Sequence, residues 1–542
     1  MEMKSKQEDG LMLLLATAIG VAQWLFLTLS GADKMFFTGT PELSAGIIWA
    51  TRLCSLAMLC SFWAFLAQAV LKIRAGDKRW TRGAKIFAVY FSIQMILLLI
   101  LWPGTWAWDD VSTLLFTKAY RLNAWQHIFT SLFYICCAHI LPFPGGIIFI
   151  QNVIIAFCLP TILVIAEEDL GLKKFTNPIA DIVVKLFPFL LPPVVIYQFG
   201  GYRTGLLIYL EVLSVVLVAK FLKQRQCKRA GLIAFAIIIG VISEWRSENI
   251  IYMILGIIAI VALTKNTIPE RIAAIVLCIV VFGSIHRVEK NYMGSSYYYL
   301  IRSSILPAVE LMKAADPVRD QEEIRKMAPI IHPEILKENP NADGYYVWDQ
   351  ERIYEIDISK KMYDDYMDGM VQLAFKYPHV LWKERSDRFA GAIGLRGSTV
   401  QVSSVSYAVH LMDIGQNEWY EAWRATEHSG IRPVFPEVRK HFIYLLGQQK
   451  PDTIPEPLFY VFWNGIIPTA FVLMAFFYAI VKRRWILFLI SGFFLAKTVI
   501  IFAAESGSLF MYYLPQYVVG YMLLSAGIVM LLSKGRTMKN VV

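Results

Sequence analysis

Charge is scarce in this chain of 542 residues: 17% are Asp, Glu, Lys or Arg, 57% are hydrophobic, and the mean hydropathy is +0.51. Soluble globular proteins carry about 25% charged residues. The polar surface needed to coat a globule in water is missing, so a lipid environment is required. Cysteine is also sparse. The seven (Cys54, Cys60, Cys136, Cys137, Cys158, Cys227 and Cys278) all lie in or beside hydrophobic segments, which excludes a disulfide framework for the polar part. The eight histidines are scattered, with no His-x-x-x-His or Cys-x-x-Cys spacing and no phosphate-binding Gly-rich loop. Neither a sequence-local zinc motif nor cytoplasmic nucleotide hydrolysis is expected. Internal repeats and low-complexity tracts are absent as well.

What is present is a series of long apolar runs, 11 to 13 by hydropathy, which predicts an α-helical polytopic membrane protein. Residues 287–450 hold 21 basic and 23 acidic residues, leaving 31 and 19 for the rest of the chain. The positive excess therefore belongs to the membrane part, in short loops beside hydrophobic segments. That is the pattern of cytoplasmic loops, not of a nucleic-acid binder. Residues 11–31 read as a first membrane helix with no cleavage site after it. The basic stretches 72–85, 223–229, 482–484 and 533–540 are expected inside, with both termini. The loop at 103–110, Gly200-Gly-Tyr-Arg-Thr204 and Glu244-Trp-Arg-Ser-Glu248 are then expected outside.

Three regions follow: an N-terminal transmembrane region (1–285), a mostly helical extracytoplasmic domain (286–455) and a C-terminal transmembrane region (456–542). Within the polar domain the apolar positions Ile353, Ile356, Ile358, Met362, Tyr366, Met370 and Leu373 predict a helix over 351–375, closed by Pro378. Residues 329–346 read as loop. The apolar stretch 127–141 is short for a span and is expected to be re-entrant or interfacial, whereas 146–166 is long enough to cross.

The most informative segment is 102–127, which follows an outward helix. Trp102, Trp106 and Trp108 suit the headgroup level, Asp109 or Asp110 can cap a helix, and Val111, Leu114, Leu115, Ala119 and Leu122 recur on one side. The pattern predicts an amphipathic helix on the outer surface (103–127) with a carboxylate pair at its start. Such a carboxylate could act as general base on a hydroxyl while a donor stays in the bilayer. The plainer alternative is that the acids cap the helix and the tryptophans anchor it.

This acidic pair after a membrane helix, the following surface helix and the Trp125-Gln-His127 run resemble the GT-C superfamily of membrane glycosyltransferases, over residues 102–151. The resemblance implies a polyprenyl-phosphate-linked sugar donor, a glycan or polymer acceptor from the cell envelope, a bacterial plasma membrane, and Asp109 or Asp110 as the catalytic acid. The chain departs from the family pattern in three ways. Two hydrophobic segments precede the helix before the motif, the outer domain is inserted ahead of the last three spans, and Ile128 follows His127 where many relatives have Pro.

Arg246, within the second cluster, and Arg203 are candidates to hold the donor phosphate, since a guanidinium grips phosphate bidentately. Arg246 can equally be neutralised by its flanking glutamates, and Arg203 can snorkel to headgroups. Trp108, Trp125, His127, Glu248, Arg302 and Glu505 are further candidates for substrate contact. No cofactor is implied, although Asp109, Asp110 and a distant acid could share a divalent ion. Two other functions fit the sequence: a transporter or flippase of a lipid-linked or anionic substrate, and a polysaccharide polymerase or ligase. Against transport, the spans hold few ionisable residues, chiefly Arg52, Lys185, Glu211 and Lys497.

Overall fold

The computed structural model describes residues 2–123, 126–224, 228–293, 297–351, 353–395, 432–447, 461–505 and 507–534. The described residues form helices joined by short turns. Eight of these helices are long and apolar enough to cross a membrane. They lie within α1 (Glu2–Ser30), α2 (Ala45–Arg74), α3 (Lys78–Leu101), α6 (Pro144–Val164), α9 (Arg203–Gln224), α12 (Ile268–Met293), α21 (Trp485–Ala504) and α22 (Leu514–Lys534). A bent pair, α7 (Pro178–Leu186) with its 3-10 extension and α8 (Pro192–Gln198), turns through 69° and makes a ninth if counted as one span.

The remaining apolar helices are short: α5 (Ile128–Ala138), α10 (Arg229–Trp245), α11 (Ile250–Ile258) and α20 (Ile466–Val481). At 1.5 Å per residue, the 11 residues of α5 reach about 16 Å, half of a hydrocarbon core. Hydropathy counts such runs as segments, but length separates them from full spans.

The spans differ in what they face. The apolar stretches of α6 and α9 are 72% and 67% buried, whereas those of α1, α2 and α12 are 11–17% buried. The outer helices expose large apolar side chains in quantity, among them Leu14, Phe26, Leu29, Ile96, Val280 and Phe477. A surface of this kind is tolerated in lipid and not in water. α6 and α9 pack on each other, with α3 against α6 and α22 against α9, and one continuous apolar core runs through them.

A second core is separate. α13 (Tyr297–Ala314), α14 (Gln321–Met327), α15 (Pro333–Glu338), α16 (Gly344–Gln350) and α17 (Lys360–Lys376) enclose Ile305, Val309, Met327, Val347, Tyr366 and Leu373. The helix expected over 351–375 begins later, because the Ser359 hydroxyl accepts from the Met362 N–H and caps α17 there. The 329–346 segment, read as loop, contains α15 and the start of α16, whose turn is capped by Asp343. α18 (Pro378–Ala392) joins the second core to the membrane helices, with Arg385 donating to the Glu505 carbonyl at 2.7 Å. α19 (Pro436–Leu446) falls within the expected outer domain, yet its Ile443 and Leu446 belong to the first core.

Candidate functional site

The acidic loop is fixed before it reaches its carboxylates. Thr105 donates its N–H to the Phe199 carbonyl at 2.8 Å and its hydroxyl to the Ile196 carbonyl at 2.7 Å. Buried Arg439 on α19 donates to the carbonyls of Leu101 and Gly104 at 3.3 and 3.0 Å. Gly104 has φ 119°, and a Cβ there would meet the Phe199 carbonyl oxygen at 2.8 Å, so only glycine suits the position. Trp106 is fully buried against the edge of Tyr134, not at a lipid interface.

α4 (Trp108–Lys118) follows. It was expected to lie open on a surface, but none of its described side chains is exposed: Asp110, Val111, Thr113, Leu114 and Thr117 are fully buried. α5 packs on α4, Gln126 and Tyr202 reach its acidic turn, and the Thr38 and Gly39 N–H groups donate to the Lys118 carbonyl at its other end. The two carboxylates consequently differ. Asp110 accepts from the Gln126 amide at 2.6 Å and from the Ala107 N–H at 3.2 Å. Burial outweighs these bonds and raises its carboxyl to about 8. Asp109 is half-buried and accepts from the Tyr202 hydroxyl at 2.8 Å.

Arg203, next in the chain after Tyr202, donates through one nitrogen to the carbonyls of Gln126 and Trp245 at 2.7 and 2.9 Å. That nitrogen ties the start of α9 to the loop before α5 and to the end of α10. Arg246 lies over the Tyr512 ring at 5.0 Å, reaches the Thr204 hydroxyl at 3.4 Å and pairs with Glu248 at 2.5 Å. Burial alone would raise the Glu248 carboxyl, but Arg246, Lys497 and Arg203 overcome it and hold the group at about 2. Lys497 in turn meets Glu211 at 2.6 Å, a carboxylate that also accepts from Asn249 and Tyr252 at 2.8 and 3.1 Å. Three cations and two carboxylates are thus gathered beside Tyr202.

Glu244, the other flanking acid, turns away from Arg246. It meets the His286 Nδ1 at 2.9 Å and lies 3.9 Å from the His127 Nε2, which contacts Glu289 at 3.2 Å. His127, Glu244 and Glu289 bring their ligand atoms within 4.8 Å of one another.

The other expected residues are placed as follows. Glu505 is buried, accepts from the Tyr513 hydroxyl at 2.9 Å and is raised to about 8, chiefly by burial. It adjoins the Arg246 group through neighbouring Tyr512. Arg302 lies in the second core's surroundings, 4.4 Å from the Tyr345 ring centre and 5.6 Å from that of Trp348. Trp108 belongs to the first turn of α4, and Trp125 lies outside the described residues. Tyr202, Gln126 and Arg439 were not singled out from the sequence. Gln126 stands beside His127 in a quoted run, but nothing in the spacing pairs it with Asp110.

Compared with protein-family models, curated proteins and solved structures, the chain matches none. The fold itself defines an α-helical, multi-pass, membrane-embedded protein.

Proposed function

We propose that this protein is a membrane-embedded glycosyltransferase of the GT-C type, moving a sugar from a polyprenyl-phosphate-linked donor to a cell-envelope glycan or polymer on the outer face of a bacterial plasma membrane. One observation carries the reading: Tyr202 and Arg203 are consecutive, one bonded to Asp109 and the other beside Arg246 and Lys497 around Glu248. A base and an anion-binding group are thereby set side by side. In the transfer, the acceptor oxygen bonds to the anomeric carbon while the bond from that carbon to the phosphate oxygen breaks, its electron pair leaving on the phosphate. Asp109 takes the hydroxyl proton, and Arg246 with Arg203 stabilises the leaving phosphate. Asp110, protonated at neutral pH, is unsuited to be the base and instead positions the turn.

The outer placement is supported by charge at the opposite helix ends. Arg79, in the 72–85 stretch, and Gln224, in the 223–229 stretch, both meet Asp169, with Lys220 beside them, so two of the basic stretches share one end. Loss of the gene and mass analysis of the envelope polymer test the reading. A polymer lacking one sugar supports it, loss of the whole polymer points to a polymerase or ligase, and an unchanged polymer sinks both.

The buried Glu211–Lys497 pair between α9 and α21 favours a second reading, transport of an anionic or lipid-linked substrate. Substrate accumulation in sealed vesicles without a covalent product would establish it in place of the first.

A further inference from the structure

The four side chains His127, Glu244, His286 and Glu289 come from three separate elements. His127 caps the start of α5, Glu244 ends α10, and His286 and Glu289 lie three residues apart on one face of α12. Their facing atoms alternate nitrogen and oxygen. His127 Nε2 is 3.2 Å from Glu289 and 3.9 Å from Glu244, and His286 Nδ1 is 2.9 Å from Glu244 and 3.9 Å from Glu289. We propose that His127, Glu244 and Glu289 form a divalent metal site of the zinc class, with His286 bonded to Glu244 beside it, clamping α12 to the loop that positions the acidic pair.

The distances support this. Zinc bonds of about 2.0 to 2.1 Å set ligand atoms about 3.3 Å apart in a tetrahedral arrangement, and the ligand atoms of His127, Glu244 and Glu289 lie within 4.8 Å of one another, with His127 3.2 and 3.9 Å from the two acids. The donor set also suits the ion. Zinc accepts an imidazole with two carboxylates, and a dication with two carboxylates is electrically neutral, as a partly buried site requires.

Charge supplies an independent argument. Glu244 is 8% exposed, and among the described residues neither it nor Glu289 pairs with Lys or Arg; the groups that contact them are imidazoles. Two neighbouring carboxylates without a strong cation are costly in a place of low water access. A bound dication removes that cost. His127 is also held at φ 67°, a backbone conformation rare for a side-chain-bearing residue, and this turns its ring toward both acids.

Coordination through Nε2 places the ring proton of His127 on Nδ1. The 3.2 Å contact from the Phe129 N–H is then given up, one neutral hydrogen bond exchanged for a metal bond. Its three protein ligands come from the start of α5, the end of α10 and α12, so its role is to hold these elements in place. Gln126 precedes His127 and donates to Asp110, while α12 leads to the second core.

The protein is purified without a histidine tag and stripped with chelator, and zinc ion is added while uptake is followed by elemental analysis and thermal unfolding. About one ion per chain should bind saturably and raise the melting temperature. His286→Ala alters a side chain that is 57% exposed, so the fold is preserved, and it should weaken zinc binding by at least about tenfold. Glu244→Gln with Glu289→Gln should abolish uptake. These variants separate the site from buried thiols such as Cys136 and Cys137. Wild-type protein that takes up no zinc, or takes it up equally in His286→Ala and the double variant, overturns the proposal.

Discussion

The two ends of α3 and α9 carry charge in opposite ways. At the end where α3 begins, each buried carboxylate meets more than one cation. Asp169 takes Arg79 and Lys220 at 2.6 and 3.0 Å, Glu167 takes Arg82, Lys185 and Lys174, and Asp181 shares Arg82 and Lys185. At the other end, about 36 Å away along the 24 residues of α3, Asp110 has an amide and a backbone N–H but, among the described residues, no ion-pair partner. Saturated charge holds helices together and leaves nothing for a ligand. Groups with displaced proton affinity, close to arginines, are where chemistry is expected.

Asp109→Asn offers the largest test of this contrast. In a transfer assay it should lower the rate about 10³-fold, the usual contribution of a general base, while Asp110→Asn should cost much less. Equal, full activity in both variants would remove the base from the proposed mechanism. At the saturated end, Arg82→Ala leaves Glu167 and Asp181 short of a buried partner. It should destabilise the fold by about 3 kcal/mol, read as a lower melting temperature, without changing donor affinity in the protein that remains folded.

Smaller effects sharpen the comparison. Arg246→Lys keeps the charge but loses the planar fork, and should weaken binding of a polyprenyl phosphate by about 1.5 kcal/mol, roughly tenfold. Unaltered affinity would exclude Arg246 as a phosphate ligand. A further effect is on pH dependence. Asp110 holds its proton up to about 8 in the folded chain, against an ordinary value of 3.8, so the folded state binds more protons than the unfolded state between those values. Its contribution to stability is therefore greatest below pH 4 and declines as pH rises to about 8. Glu505 has the same sign. Asp110→Asn should flatten the melting temperature against pH between 5 and 8 without levelling it, and an unchanged slope would show that Asp110 is ionised.

Hydropathy made the long helices legible, because a lipid-facing span needs an unbroken apolar run whatever its neighbours. The acidic pair and both arginines were visible for a similar reason, as polar residues at the ends of such runs. The enclosure of α4 was not. Its pattern of Val111, Leu114 and Leu115 is that of a surface helix, and contacts from α5, Gln126, Tyr202 and the Thr38 and Gly39 N–H groups came only with the fold. Arg439 was hidden in the same way, being more than 300 residues from the carbonyls it holds.

The sequence by itself determined the environment: a chain this poor in charge and rich in long apolar runs must lie in a membrane, since composition sets the cost of exposing it to water. It also marked Asp109, Asp110, Arg203 and Arg246. Tertiary structure decided which carboxylate is reachable, since burial and a hydrogen-bonded amide make Asp110 unlike the adjacent Asp109. It also gathered Glu211 with Lys497, and His127 with Glu244 and Glu289, from far-apart positions. Proton affinity and ion pairing depend on what lies within a few ångströms, and in a folded helical bundle that is settled by packing between distant segments.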